Sequence, residues 1–310
     1  MTPLAVAVLA HADPAHLGRL VNALPFIPIV VHCDARTRAA TFAAMRESTR
    51  TGNVRFSARQ ATTLSSWSLV LAELQAVRDA LTWTNARHIA VLSGACFPLL
   101  PVEELHDELA HWEGRTWMWN VPVPYQDWDT PRQKDGGMWR FRYRYLTRNN
   151  QSLYIKGFPL RMPWPRQIPA ELTLRAASQW KIYSREHATR LLELVDERPD
   201  LIKFWSSTLV PDESFAASML GSRTLFGESA LPLNASGAWY LDWPRAHSYH
   251  PRWLNEEDFD RLKVARWAPS QHPHTQVTEQ AGHRKLFARK FRSSDGATVV
   301  DRIAEELLPG

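Results

Sequence analysis

The first 121 residues alternate short apolar runs with stretches of helical spacing, and few architectures accept that rhythm. Leu4–Ala10, Ile27–His32 and His88–Leu92 are brief and apolar, as strands buried on both faces are. Between the first two, Leu17, Leu20, Val21 and Leu24 fall at helical spacing within Ala15–Leu24. Arg36–Arg50 reads as a second helix and Asn53–Phe56 as a third strand. Ser65–Trp83 gives the clearest helix. Trp67, Val70, Leu71, Leu74, Val77 and Leu81 form one stripe, and Ser65 or Ser66 can cap its first amides. A helix opening at Pro101, with Glu103 and Glu104 in its first turn, and a strand at Thr116–Val121 complete this half. Buried strands in βαβα order predict an α/β fold, a mixed and mostly parallel sheet flanked by helices. Ligands of such sheets sit at the carboxyl ends of the strands. Those ends are His11-Ala12-Asp13, His32-Cys33-Asp34 and Ser93-Gly94.

The remaining sequence changes character and then returns. Residues 121–175 are rich in Pro, Trp and Arg, with little helical periodicity. Trp139 to Tyr145 alternates aromatic with arginine, which predicts a strand with one packed and one basic face. A strand at Gln179–Tyr183, a helix at Ser184–Glu197 capped by Ser184, a short helix at Asp212–Leu220 and an amphipathic helix at Val299–Leu308 follow. No linker or internal repeat divides the chain, so residues 1–310 are expected to form a single domain.

Composition narrows the functional classes. The net charge is +5, mild for a nucleic-acid binder, but it is concentrated in Arg140–Arg148 and Arg284–Arg292, where an anionic ligand would feel it. Two cysteines, Cys33 and Cys96, cannot build a disulfide framework. Lying in apolar runs, they are expected as buried thiols of a cytoplasmic protein. Pro3–Ala10 is far shorter than the roughly 20 apolar residues of a membrane span, and no other stretch approaches that length. The 14 tryptophans leave two readings open, a Trp-rich core or flat faces for sugars and bases.

Taken in order, several segments resemble the core-2/I-branching N-acetylglucosaminyltransferase and xylosyltransferase family (glycosyltransferase family 14). Ala5 to His11 with Asp13-Pro14 resembles its opening strand and helix, and Val31-His32-Cys33-Asp34 its second strand end. Ser66-Trp67-Ser68-Leu69-Val70 is similar to its W-x-S-L-V helix. Leu92-Ser93-Gly94-Ala95-Cys96-Phe97-Pro98-Leu99 is similar to its LSGxDFPL turn, with Cys96 in place of an acid. Gln179-Trp180, Pro211-Asp212-Glu213 and Leu286-Phe287-Ala288-Arg289-Lys290-Phe291 complete the set. The resemblance implies a GT-A-like fold, with residues 1–121 as nucleotide-binding half and 122–310 as acceptor and catalytic half. It also implies a UDP-sugar donor (GlcNAc or xylose) and a glycan, glycolipid or small-molecule acceptor. Transfer would invert the anomeric carbon, with no cofactor and no divalent metal. Animal members carry a membrane anchor and several disulfides. Neither is expected here, so the chain resembles a bacterial version.

The resemblance also distributes roles. Glu213 corresponds to the family's general base, with Phe204, Trp205 and Phe215 near enough in sequence to desolvate it. The competing reading makes Asp212 and Glu213 helix-start acids that complement the dipole, and Asp212 is expected to hold position. Lys290 corresponds to the family's diphosphate-binding lysine, with Arg252 as its expected partner and Arg289 as a substitute. The competing reading is a solvated basic strand edge. His11, Asp34, Ser93 and Gly94 are the nucleotide-binding candidates, with Gly94 allowing close backbone approach. Lys134, Arg140, Arg142, Arg144 and Trp239 are the acceptor-binding candidates.

Two rival functions fit parts of the sequence. A nucleic-acid-binding protein would use the interleaved aromatic and basic residues 139–148. A metal-dependent GT-A transferase would use Asp127 and Asp129, an Asp-x-Asp in the Pro-rich middle. Residues 264–285, with His272, His274 and His283, read as an insertion able to cover the donor.

Overall fold

The computed structural model of the protein describes residues 2–227, 231–234, 236–244, 250–272 and 282–309. Its centre is a five-stranded sheet built as the buried runs require. β1 (Leu4–Ala10) lies between β4 (His88–Ser93) and β2 (Ile29–Cys33), with β3 (Val54–Phe56) beyond β2. These four strands are parallel, and Lys181–Ser184 closes the β4 edge antiparallel. The chain leaves β1 towards β2 and β3 and returns to its other side at β4. The reversal opens a crevice at the carboxyl ends, next to His11, Asp34 and Ser93.

β1 is buried throughout, and its alternate residues serve opposite cores. Ala5 and Ala7 pack with α3 (Trp67–Trp83), α6 (Arg185–Glu197) and α8 (Phe215–Gly221). Leu4, Val6, Val8 and Ala10 pack with α1 (Pro14–Asn22) and α4 (Val102–Ala110). Helix α1 starts sharply because Asp13 accepts the His16 amide at 3.1 Å and Pro14 follows it. Ser184 caps α6 in the expected way, accepting the His187 amide. Ser66 occupies the position before α3, but its Oγ accepts the Ser152 amide at 2.9 Å, so it ties a later segment to the helix start.

A second sheet meets the first at the end of β4. β5 (Cys96–Pro98) pairs antiparallel with Phe287–Arg289, which pairs parallel with Trp239–Leu241. The Leu286–Phe291 segment, distant in sequence, is thereby placed beside the Ser93-Gly94 turn. The Phe291 amide donates to the Ala95 carbonyl at 2.9 Å.

The alternating run 139–145 departs from its expected strand. It forms a helical turn, α5 (Trp139–Arg142), followed by β7 (Tyr143–Tyr145), which pairs with Arg161–Pro165. The turn buries Phe141 completely, so arginines and aromatics do not segregate onto two faces. Among the described residues no helix is long and apolar enough to cross a membrane.

Candidate functional site

Glu213 ends a short 3-10 turn, Pro211–Glu213, between Trp205 and α8. The turn is entered through Val210, whose backbone is left-handed at φ 52°. A β-branched residue there is an outlier, and such strain persists only where its surroundings enforce it. Here the Val210 amide donates to the Ser65 carbonyl at 3.1 Å, and Ser65 is itself left-handed at φ 63°. The aromatic wall of Trp67, Trp205 and Phe215 stands behind this turn, with Phe215 edge-on to both tryptophans.

The two adjacent acids have different environments. Asp212 is buried, its Oδ1 has no hydrogen-bond partner, and burial, with the neighbouring Glu213 charge, pushes its pKa up to about 7. Glu213 is the more accessible, its side chain 37% exposed, and its Oε2 pairs with Arg140 at 2.8 Å. The expected desolvation thus falls on Asp212. The Arg140 guanidinium lies 3.7 Å from the centre of the Trp128 ring, which fixes the arginine and through it the Glu213 carboxylate.

Arg289 and Lys290 form the opposite pole. Arg289 sits across from Cys96, lies 4.2 Å from the Trp180 ring centre, and has Nε and Nη1 buried without a partner. Burial lowers its pKa. Lys290 rests 4.3 Å from the Trp253 ring centre, and its pKa is lowered by burial first and then by Arg289 and Arg292. The pKa of His250 is lowered by burial, Lys290 and Arg289, while Glu213 pulls it the other way. All three charged residues therefore act on one imidazole.

The other expected residues take varied places. Arg252 is held by Asp242 (2.7 Å from Nε) and by both oxygens of Asp258, which leaves Arg289 as the uncompensated guanidinium. Asp34 is 7% exposed and accepts from the Arg36 amide at 2.7 Å and from Thr62, so its lone pairs are spent on its own loop. Hydrogen bonds from Thr62 and Arg36 outweigh burial and hold its pKa low. His11 is exposed, and its carbonyl accepts from Thr37. Gly94 is required by close approach, but to β1: a Cβ there would stand 3.1 Å from the Ala10 Cβ. Trp239 offers no sugar-stacking face, because it is 5% exposed and stacks on Phe287 inside the core. Lys134 and Arg144 are exposed, and Arg142 reaches Asp135 at 3.6 Å.

Asp127 accepts from the Tyr125 hydroxyl, and Asp129 accepts the Gly136 amide at 2.8 Å, so both serve their own loop. Among the described residues no three His, Cys, Asp or Glu side chains stand together as a ligand set. The expected lid at 264–285 is anchored by its ends instead. The Arg284 amide donates to Pro269, and the Lys285 amide to Ala265. Its central part, with His274, lies outside the described residues, while His272 packs on His111.

Sequence reasoning missed His250, the Trp128 platform and the tryptophan faces beneath Arg289 and Lys290. Trp180 was visible only as part of a resembling segment, and nothing in the spacing joined it to Arg289. No curated protein matches the chain. The model of the core-2/I-branching enzyme family matches residues 28–268, most of the chain, including Glu213 and ending before Arg289 and Lys290. The chain therefore belongs to the core-2/I-branching enzyme family, a family of glycosyltransferases.

Proposed function

We propose that this chain is an inverting, metal-independent transferase that moves a sugar from a UDP-sugar to a hydroxyl of a glycan or other acceptor. Glu213 takes the proton from the acceptor hydroxyl as its oxygen attacks the anomeric carbon. The bond from that carbon to the diphosphate oxygen breaks on the opposite face, which inverts the configuration. The charge that grows on the leaving UDP is met by Lys290 and Arg289, donors fixed in place before the reaction. Arg140 positions the Glu213 carboxylate and offers an acceptor hydroxyl a second polar contact.

The observation that carries the reading is Arg289, a guanidinium with two buried nitrogen positions unpartnered. Burying such a group unsatisfied is costly. A diphosphate beside Lys290 would satisfy it, while Glu213 is the acid of the Pro-Asp-Glu turn left accessible.

The test is a melting-temperature titration with UDP, UDP-GlcNAc and UDP-xylose in EDTA and again in Mn²⁺, followed by turnover with the UDP-sugar that binds. A ligand of the folded state raises the melting temperature. The expected result is equal stabilisation in both buffers, with Glu213→Gln binding UDP normally while turnover falls about 10²- to 10⁴-fold. A strict need for Mn²⁺, or full activity of Glu213→Gln, would overturn the mechanism.

A further inference from the structure

The region between β7 and Arg161–Pro165 has no role in the chemistry above, and its surface is unlike the rest of the molecule. Residues 147–159 fold as two successive small hairpins, Thr147–Arg148 with Gln151–Ser152 and Tyr154–Ile155 with Phe158–Pro159. The base of this arm is fastened to the start of α3: the Ser152 amide donates to Ser66, and the Asn150 carbonyl accepts the Ser68 amide at 2.9 Å. At the outer end the Arg132 guanidinium lies 5.4 Å from the Phe158 ring centre, and among the described residues no backbone hydrogen bond leaves the tip for the rest of the fold. The tip turns through Lys156 (φ 50°) and Gly157 (φ 81°), the paired left-handed residues of a tight hairpin.

Apolar side chains crowd that outer end. Ile155 and Phe158, facing each other across the turn, are 58% and 59% exposed. Leu153 and Tyr154 precede them, and Trp164 on the returning strand is 61% exposed. A two-stranded hairpin is marginal in water on its own, and neighbouring exposed apolar residues such as Ile155 and Phe158 mark a surface that is covered in use. The charge along this part of the chain has one sign. Residues 136–170 contain seven Arg or Lys and no Asp or Glu. Of these, Arg144, Arg148, Lys156 and Arg161 are exposed.

We propose that the hairpin tip Tyr154–Phe158 docks this protein on an anionic lipid surface. Ile155 and Phe158 enter the acyl boundary, Tyr154 and Trp164 sit at headgroup level, and Arg148 and Lys156 meet the phosphates. A second copy of the chain is a poorer occupant, since two acid-free arms repel. Nucleic acid is poorer as well, because at the tip the Phe158 face is taken by Arg132 and its cross-strand partner Ile155 is aliphatic. The arm is tied to Ser66 and Ser68, and the Glu213 turn is entered from Val210, whose amide donates to the Ser65 carbonyl, so both are held by the start of α3. On the transferase reading, the acceptor would then be met at the lipid surface.

Vesicle flotation of the full chain tests this without turnover, so its failure leaves the transferase reading untouched. Equimolar phosphatidylcholine–phosphatidylglycerol vesicles are expected to carry the protein, phosphatidylcholine vesicles are not, and raising salt is expected to release it. Ile155→Asp with Phe158→Asp should lower the partition coefficient at least about tenfold at an unchanged melting temperature. Should that variant misfold, Arg148→Ala and Lys156→Ala decide, with a loss of about fivefold per charge. Equal partition on both vesicles, no partition at all, or tip and charge variants that bind like wild type would overturn the proposal. So would a concentration-dependent dimer that the tip variant dissolves, or binding to an oligonucleotide in preference to the anionic vesicles.

Discussion

Arg140–Arg148 and Arg284–Arg292 are the two densest basic runs of the chain, and in sequence they look interchangeable. In the fold they are put to different uses. Within the second run, Arg284 is half-buried against Glu104 and Glu108, Arg289 is half-buried with two nitrogens buried and unpartnered, and Arg292 is paired with Asp295 at the surface. Within the first, only Arg140 is drawn inward, onto Glu213, while Arg144 and Arg148 stay exposed with no ion pair among the described residues. The density of charge therefore says little about its task. A buried, paired cation is structural. A cation whose buried nitrogens have neither an acid nor a neutral acceptor, unlike Lys285 on Ser236 and Gly237, invites an anionic ligand, and an exposed one contributes only a field.

The same substitution at two positions of the second run separates the first two cases. Arg284→Met leaves the 3%-exposed side chain of Glu108 without its guanidinium, and Glu104 with Arg266 alone. It also removes a donor to the Arg266 carbonyl. Breaking one partner out of a buried network costs about 3 kcal/mol or more, and urea unfolding should show that loss. Arg289→Met strands no carboxylate, so stability should stay within about 1 kcal/mol of wild type, the cation–π contact with Trp180 being the main loss. UDP affinity should instead fall by about 10- to 100-fold, the worth of one or two charge-assisted hydrogen bonds. If the outcomes were exchanged, Arg289 would be the structural residue and the diphosphate site would be misplaced.

Such a division was only partly legible in the sequence. The buried strands announced the parallel sheet through their unbroken apolar runs, and Ser184 announced its helix through capping chemistry, whereas the Asp13 cap of α1 was not read from the sequence. What sequence could not supply was compensation across distance. Arg252 appeared as free as Arg289 until Asp242 and Asp258 were seen to close on it. Asp34 stood at a strand end, where ligands are expected, but its own loop supplies its donors. Run 139–145 failed because its alternation satisfied the period of a strand while Phe141 was needed in the core as part of a helical turn. Trp239 and Trp180 are equally good stacking residues on paper, yet only Trp180 has a cation on its face.

Asp212 sharpens the comparison from the acidic side, being a buried carboxyl with no basic partner. Its folded pKa of about 7 lies above the unfolded value of about 3.9. The native state therefore binds the extra proton, and this contribution to stability is complete below the unfolded value and lost as pH rises through about 7. Wild type should lose on the order of 2 kcal/mol from this group between about pH 5 and about pH 8. Asp212→Asn, neutral throughout, should flatten that part of the pH profile in urea titrations. An identical slope in the two proteins would mean that the carboxyl is already ionised in the fold.

The smallest effect is expected where the first run is most exposed. Arg142 and Asp135 approach only to 3.6 Å, with side chains 46% and 26% exposed, so water screens the pair and both side chains keep most of their freedom. Such a contact is worth less than about 0.5 kcal/mol. Arg142→Ala should therefore leave the urea midpoint and UDP affinity unchanged within error, since the residue touches neither Glu213 nor the Arg289–Lys290 pole. Its informative readout is the Michaelis constant for the acceptor. A rise in that constant with UDP binding intact would give the exposed part of the first run a share in the acceptor, separating it from Arg140 by substrate instead of by burial. A loss of stability would show instead that the loop carrying Asp135 depends on this pair, and the contrast between buried and exposed arginines would have to be redrawn around α5.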